Sequence, residues 1–220
     1  YLTSKDAKDI EKAIQYLSLA AKQNFAEAQY NLGVIYLINK DIQDIQKAIK
    51  YLTLAANQNH PKAQYNLGLI YMEGEYCKID IEKAIKYLML AAKNDIAQAK
   101  YALGLIYFSG IYVTRDIEKA IYYFTLAADL NIPAAQNILG LLYLEGKYVK
   151  PNIKKTLYYL SKAAEKNYSS TQYYLGLFYL NGNYVKRDMN KSIYYLSLAA
   201  NNNLSHAQYL LGSIYLEGKG

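Results

Sequence analysis

The sequence contains little that could crosslink the chain or carry it through a membrane. One of its 220 residues is a cysteine, Cys77, so neither an intrachain disulfide nor a cysteine-based zinc site can form. The longest uninterrupted apolar stretch, 138–144, has about seven residues, whereas a membrane-spanning helix needs roughly 20. A transmembrane segment is therefore excluded within this sequence. The localisation stays open, because cytoplasmic and exported locations are both compatible with these absences.

Charge of one sign is nowhere concentrated. Lysine and arginine number 25 against 18 aspartate and glutamate residues, which gives a net charge of +7, yet no run of five or more like charges occurs. Nucleic-acid binding usually needs a basic patch or stripe. We therefore expect no nucleic acid among the partners, and a nucleic-acid-binding helical array is the least favoured function.

The sequence also lacks a recurring arrangement that could carry catalysis or hold a metal ion. No nucleophile recurs beside a base, and the two histidines, His60 and His206, have no other histidine or cysteine nearby in the sequence. We expect a protein that is not an enzyme, with no catalytic residue, no metal and no cofactor.

The sequence does contain a repeated unit, which is present in six copies. A glycine that follows a leucine and precedes a tyrosine by three residues recurs, first after 35 residues and then four times after 36. These glycines are Gly33, Gly68, Gly104, Gly140, Gly176 and Gly212. Segments such as DIEKAI (80–85), each followed by an Ala-Ala pair, recur in register with the glycines. A period of this length with two helical patterns is typical of a solenoid.

Each unit is predicted to contain two helices, which we name A and B. Helix A is expected at 26–38, 61–73, 97–109, 133–145, 169–181 and 205–217, and helix B at 9–22, 44–57, 80–93, 116–129, 152–165 and 188–201. Only three or four residues connect each helix B to the next helix A, so neighbouring helices should be antiparallel.

Residues suited to helix ends stand at both ends of these segments. The expected N-caps of helix B are Asp9, Asp44, Asp80, Asp116, Asn152 and Asp188. Gly74, Gly110, Gly146 and Gly182 should end helix A in the left-handed conformation, and Asn39 should do so in the first unit.

The glycines inside helix A call for a packing explanation, because glycine costs about 1 kcal/mol in a helix relative to alanine. We expect the missing side chains to let helix B approach closely. The space should be taken by a column of tyrosines on helix B: Tyr16, Tyr51, Tyr87, Tyr123, Tyr159 and Tyr195.

The repeated pattern A-Q-Y-x-L-G-x-x-Y-x-x-G-x-Y-V-x-x-D-x-x-K-A-x-x-Y-x-x-x-A-A stands nearly complete at 99–128 and, with a gap, at 63–92. It resembles the Sel-1-like repeat, a relative of the tetratricopeptide repeat, over essentially the whole chain. The resemblance implies an all-α fold, a right-handed superhelix of helix pairs, that serves as a non-enzymatic adaptor in protein complexes. We expect one array of six units over 1–220 that begins on a B-type helix, ends on an A-type helix and is a segment of a longer array.

Helix A is apolar on two opposed faces, whereas helix B is apolar on one. One face of helix A should meet helix B; the other, which we call the stripe, carries the expected partner-binding residues. These are Tyr30, Tyr65, Leu69, Met72, Tyr101, Leu105, Phe108, Leu141, Tyr173, Leu177 and Tyr209. In one interpretation the stripe packs between adjacent A helices; in the other, part of it forms an open concave groove for a partner helix or an extended peptide.

The stripe is uneven along the chain. Asn137 and Ser213 interrupt it, so we expect the best groove around Tyr65, Tyr101 and Phe108. The position three residues before each stripe tyrosine varies in chemistry (Glu27, Lys62, Gln98, Ala134, Ser170, His206), either as a specificity rim or as ordinary surface drift. The predicted function is a protein–protein interaction scaffold. The alternative is a targeting or regulatory arm of a larger enzyme or secreted effector.

Overall fold

The computed structural model describes the backbone of residues 4–218 and the side chains of residues 9–218, so both ends of the expected 1–220 array lie outside the described residues. Between residues 4 and 218 the chain forms α-helices and no strand. The helices are α1 (Ser4–Lys22), α2 (Ala26–Ile38), α3 (Ile45–Asn57), α4 (Pro61–Glu73), α5 (Ile81–Lys93), α6 (Ala97–Ser109), α7 (Ile117–Asp129), α8 (Pro133–Glu145), α9 (Ile153–Glu165), α10 (Ser169–Asn181), α11 (Met189–Asn201) and α12 (Ser205–Leu216).

The even-numbered helices are the predicted A helices, and the odd-numbered ones are the B helices. Every A helix begins at the expected residue, and only α12 ends one residue early, at Leu216. Five B helices begin one residue later than expected, because the residue taken as first is the N-cap. None of the helices in the described part of the chain is long and apolar enough to cross a membrane.

Side-chain caps begin five of the B helices. The side chain of the cap accepts a hydrogen bond from the backbone N–H three residues later, with an N···O distance of 3.0 Å in each case. These caps are Asp44, Asp80, Asp116, Asn152 and Asp188. The prediction for Asp9 is wrong: α1 begins at Ser4, so Asp9 lies inside the helix.

Left-handed residues end the A helices as predicted in four places. Gly74, Gly110, Gly146 and Gly182 have φ angles of 69°, 67°, 67° and 72°. The prediction for Asn39 is wrong, because its backbone is extended at φ −83° and ψ 106°. The loop it opens is one residue shorter, and the Asn39 side chain turns the chain by accepting a hydrogen bond from the Asp41 N–H at 3.1 Å.

The glycines inside the A helices do contact helix B, but the side chain they accommodate is not the predicted one. A Cβ atom built on Gly68 would lie 2.7 Å from Leu88 Cγ and 3.3 Å from Leu88 N. The same close approach pairs Gly33 with Leu52, Gly104 with Phe124, Gly140 with Leu160 and Gly176 with Leu196. The expectation that a tyrosine fills this space is therefore wrong by one residue. No described atom would lie within 4 Å of a Cβ on Gly212.

The tyrosines of helix B stack on tyrosines of helix A instead. Tyr51 lies 6.0 Å from Tyr36 between ring centroids, with the rings 7° from parallel, and Tyr195 lies 5.9 Å from Tyr179 in the same way. The pairs Tyr71–Tyr87, Tyr107–Tyr123 and Tyr143–Tyr159 repeat the arrangement. Tyr16 of α1 is 70% exposed.

The chain divides into two compact units, 1–103 and 104–220, with the boundary inside α6. In the first unit, Leu52, Leu67 and Ile70 belong to a buried core against which Tyr30 and Leu37 of α2 pack. In the second unit, one core contains Leu160, Leu175 and Phe178, and another contains Leu196, Ala207 and Ile214. Both units fully bury the helix B side chains that face the glycines of helix A.

Candidate protein-interaction surface

The residues of the stripe are mostly half-buried. Nine of the eleven fall in this class; Leu105, at 40% exposure, and Tyr209, at 79%, are exposed. Each side chain therefore contacts its own unit and still keeps part of its surface open. The two interpretations of the stripe, packing and groove, have to be separated region by region.

Between α2 and α4 of the first unit, the stripe is closed by a histidine. The rings of Tyr30 and His60 stack with centroids 4.5 Å apart. His60 Nδ1 accepts the Ala63 N–H at 3.2 Å, which caps α4, so the ring proton lies on Nε2 and is donated to Glu27 Oε2 at 3.0 Å. The Tyr30 hydroxyl has its own partner in the Asn66 side chain. His60 therefore covers one face of the Tyr30 ring.

Burial also changes the acidity of stripe tyrosines in the first unit. The pKa of Tyr30 is raised, first by burial and then by the carboxylate of Glu27. The pKa of Tyr65 is raised for the same first reason, with Glu73 adding to it. Both phenols stay protonated far above neutral pH, so they can donate hydrogen bonds. Leu69, Met72 and Tyr101 complete the half-buried stripe of this unit.

Two positions of the second unit show how the stripe is packed. Phe108 lies edge-on to Phe124 at 6.1 Å and to Tyr148 at 6.0 Å, so much of its ring is covered. Asn137 is buried, and its Oδ1 accepts a hydrogen bond from the Thr171 hydroxyl at 2.9 Å. Asn137 therefore interrupts the stripe as a satisfied core residue. The sequence signal for this pair is Thr171 itself, which stands where the other A helices have alanine.

Between α10 and α12 the stripe opens into a pocket of about 500 Å³. Three predicted residues line it: Tyr173, Leu177 and Tyr209. Ser205, His206 and Leu210 complete the lining and were not among the predicted binding residues. His206 was the varying rim position three residues before Tyr209, so its sequence signal was present but ambiguous.

Tyr173 has two roles at this pocket. It packs against the core that contains Leu196, Ala207 and Ile214, and its ring lies 6.3 Å from that of His206. The same side chain thus joins two repeats and forms a wall of an open pocket. The predicted groove around Tyr65, Tyr101 and Phe108 stays a prediction.

A second arrangement recurs where the loop after each A helix leads into helix B. The third residue of helix B is a lysine whose Nζ lies over the ring of the helix A tyrosine, as with Lys47 over Tyr36 at 5.3 Å and Lys191 over Tyr179 at 5.1 Å. Where the N-cap is aspartate, the same Nζ pairs with its carboxylate. Among the side chains described, no three histidine, cysteine, aspartate or glutamate residues are grouped to hold a metal ion.

The family model for the Sel1 repeat matches the chain in seven consecutive segments. They are 4–25, 26–60, 61–96, 97–132, 133–168, 169–204 and 205–220. The chain belongs to the Sel1 repeat family. Sel1 repeats are typically non-catalytic, and Sel1 repeat proteins are generally scaffolds that bind other proteins.

Solved structures of Sel1 repeat proteins resemble the chain closely. A protective antigen of uropathogenic Escherichia coli with an SLR fold is 31% identical over 93% of this chain and 44% of its own, with a TM-score of 0.88. A Sel1 repeat protein from Oxalobacter formigenes is 34% identical over 99% of this chain and 63% of its own, with a TM-score of 0.78. This Sel1 chain therefore spans less than two thirds of either relative.

A more distant likeness shows the fold alone. An immunity protein from Pseudomonas aeruginosa is 23% identical over 79% of this chain and 64% of its own, with a TM-score of 0.50. A search of curated proteins finds no match. The predicted fold class, an all-α superhelix of helix-pair repeats, is confirmed by the family model and by the two closer structures.

Proposed function

We propose that this Sel1 repeat protein binds a helix or an extended peptide of another protein through the stripe of its A helices, with the α10–α12 pocket as the main anchor point. The observation that carries the proposal is the pocket of about 500 Å³ that Tyr173, Leu177 and Tyr209 line together. A pocket of this kind suits one large apolar side chain of a partner.

The chemistry of the lining favours protein recognition. Tyrosine offers a large contact area, a hydroxyl that can donate or accept, and few rotatable bonds to immobilise. Leu177 and Leu210 supply apolar surface to the lining, while Ser205 and His206 supply polar groups.

The α2–α4 region supports the choice of pocket by contrast. Tyr30 occupies the same place in its repeat as Tyr173, but His60 stacks on its ring and Asn66 takes its hydroxyl. Leu204 and Leu210 stand at the two corresponding positions beside Tyr173 and form neither contact. The stripe is therefore expected to bind at α10–α12 and not at α2–α4.

Selection from displayed peptide libraries tests the proposal even though the partner is unidentified. The immobilised protein should select peptides that share an apolar anchor residue. Replacing Leu177 and Tyr209 by alanine should weaken the binding of the selected peptides at least tenfold, measured by fluorescence polarisation, because two large side chains of the pocket lining are lost.

The matched control is Tyr194→Ala, which removes a tyrosine that is 59% exposed on α11 and lies outside the pocket. Its affinity for the peptides should equal that of the wild type, and circular dichroism should show the same helix content for all variants. Peptides that bind the Leu177/Tyr209 variant as tightly as the wild type would exclude this pocket as the binding site.

A further inference from the structure

A second pocket of the second unit has a different chemistry. It has a volume of about 520 Å³ and lies between the loop after α10 and the beginning of α11. Its lining residues are Tyr179, Val185, Lys186, Arg187, Asp188 and Lys191. Three of these side chains are cationic and one is a carboxylate, so the pocket has an excess of positive charge.

Two of the cationic side chains are not held by an interaction with the described residues. The side chains of Lys186 and Arg187 are exposed and form no hydrogen bond or ion pair with any described residue. Lys191 pairs with Asp188, but at 3.7 Å, and lies over the Tyr179 ring. Its ammonium is therefore only loosely neutralised.

The equivalent arginine of another repeat is hydrogen-bonded to the protein. Arg115 occupies the position of Arg187 in the α6–α7 loop, and its guanidinium donates to the Ser109 carbonyl at 3.2 Å and to the Tyr148 hydroxyl at 3.4 Å. In the α8–α9 loop the same position is Pro151. Of the two arginines at this loop position, Arg187 is therefore the one whose guanidinium donates no hydrogen bond to a described residue.

The corresponding pocket of the first unit is close to neutral. Its charged lining residues are Lys78, Lys83, Asp80 and Glu82, two of each sign, and Lys83 pairs with Asp80 at 2.8 Å. Ile79 stands where Arg187 is found, and Glu82 stands where Asn190 is found. The position of the loop in the repeat therefore does not make the pocket basic; these two substitutions do.

We propose that the α10–α11 loop pocket binds an oxyanion, a phosphate or a carboxylate group. Arginine presents paired donors that match either group, and Lys186 and Lys191 add charge on the same rim. The site shares no lining residue with the α10–α12 pocket, so it can be present whether or not that pocket binds a peptide.

Titration of the ¹⁵N-labelled protein with two small anions tests the site and separates the two sources. Inorganic phosphate and sodium acetate are added in separate series at constant ionic strength, and backbone amide shifts are followed. We expect saturable shifts at residues 185–188 and 191 and none at the neutral counterpart, 78–83. Saturation by phosphate alone assigns a phosphate site, saturation by acetate alone a carboxylate site, and saturation by both a general oxyanion site.

Two variants make the result decisive. Lys186→Ala with Arg187→Ala should weaken binding at least fivefold; both side chains are exposed and bond to no described residue, so the loop should stay folded. Ile79→Arg with Glu82→Asn should create a phosphate response at 78–83. A wild type without saturable shifts, a double-alanine variant that responds like the wild type, or shifts of equal size at every lysine-bearing loop would each overturn the proposal.

Discussion

The two units of the molecule share a framework and differ in what stands around it. In 1–103, His60 closes the stripe over Tyr30, and the loop pocket between α4 and α5 is close to neutral. In 104–220, the stripe is open beside Tyr173, and the loop pocket between α10 and α11 is basic. Gly68 of the first unit and Gly176 of the second make the same close approach to a fully buried leucine of helix B. The repeat pattern therefore explains the fold, while the few positions that vary between repeats determine which surfaces can bind.

The largest effect should come from the part that is the same in both units. Gly68→Ala would place a Cβ 2.7 Å from Leu88 Cγ, and Gly176→Ala would place one 2.6 Å from Leu196 Cγ. Both leucines are fully buried, and their backbone nitrogens lie 3.3 Å away, so neither can move aside easily. Each variant should lose about 1–3 kcal/mol of unfolding free energy in urea denaturation.

Gly212→Ala is the matched control for overpacking. It adds the same methyl group at the same repeat position, but no described atom lies within 4 Å. Because alanine is the better helix former, this variant should gain up to about 1 kcal/mol. A similar loss in all three variants would show that the cost comes from something other than the contact with helix B.

The framework was the part that could be predicted from the sequence. The period of about 36 residues placed the helices, and the aspartate, asparagine and glycine residues placed most of their ends. The error at Tyr51 has a physical cause: consecutive residues on a helix differ by 100° in direction, and the one that faces Gly33 is Leu52. A long tyrosine side chain can reach past the helix edge and stack on Tyr36, which the pattern of apolar residues does not show.

The site was less predictable, because its openness depends on residues about 30 positions away. Nothing next to Tyr30 in the sequence indicates that His60 stacks on it. Likewise, the residues that leave Tyr173 open belong to the following A helix and to the turn before it. The sequence was enough to predict which residues form the stripe. Deciding whether the stripe is packed or open required knowing which residues lie next to it in the folded structure.

Removing His60 should make the α2–α4 region of the stripe as open as the α10–α12 region. His60→Ala deletes the cap of α4, the hydrogen bond to Glu27 and the stack on Tyr30, and should cost about 1–2 kcal/mol. Uncovering Tyr30 should also lower its pKa toward the ordinary value of 10.0, because burial is the main cause of the raised value. An alkaline titration followed by NMR of ¹³C-labelled tyrosine measures this pKa.

His60→Asn separates the cap from the stack. Asparagine is a good N-cap, so most of the stability should return, whereas the pKa of Tyr30 should stay lowered. If the pKa of Tyr30 is unchanged in both variants, the histidine does not close this part of the stripe.

A buried glutamine marks a smaller difference between the units. Gln29 and Gln64 of the first unit accept hydrogen bonds on Oε1 from the side-chain amides of Gln58 and Asn94, at 2.7 and 3.4 Å. In the second unit, Oε1 of Gln136 is buried without a hydrogen-bond partner. The residue at the donor position is Lys166, which is exposed.

Lys166→Asn should therefore stabilise the second unit by about 0.5–1.5 kcal/mol, because it supplies the missing donor. The arrangement already exists one repeat later, where the Asn202 amide donates to Gln172 Oε1 at 3.0 Å. Lys166→Ala removes the same charge without adding a donor and should bring no such gain. Equal urea midpoints for the two variants would contradict the explanation.

The smallest expected effect concerns the charge of the helix caps. Hydrogen bonds from the Lys83 ammonium and from the Lys83 backbone N–H lower the pKa of Asp80 below its ordinary value of 3.8. A carboxyl group with a lowered pKa stabilises the folded state above its unfolded pKa, and this contribution is lost as the pH falls through the folded value. Asp80→Asn keeps the cap but removes the titration, so the drop in melting temperature between pH 6 and pH 3 should be smaller than in the wild type.

Asn152 lets the same test be run in reverse in the second unit. It already caps α9 by accepting the Lys155 N–H at 3.0 Å, without a charge. Asn152→Asp would place a carboxylate beside Lys155, as in the Asp80–Lys83 pair, so the drop in melting temperature between pH 6 and pH 3 should grow. Because these caps are exposed, both changes should shrink at high salt. If the two variants change the acid sensitivity in the same direction, the cap charge is not its source, and the units do not differ in this respect.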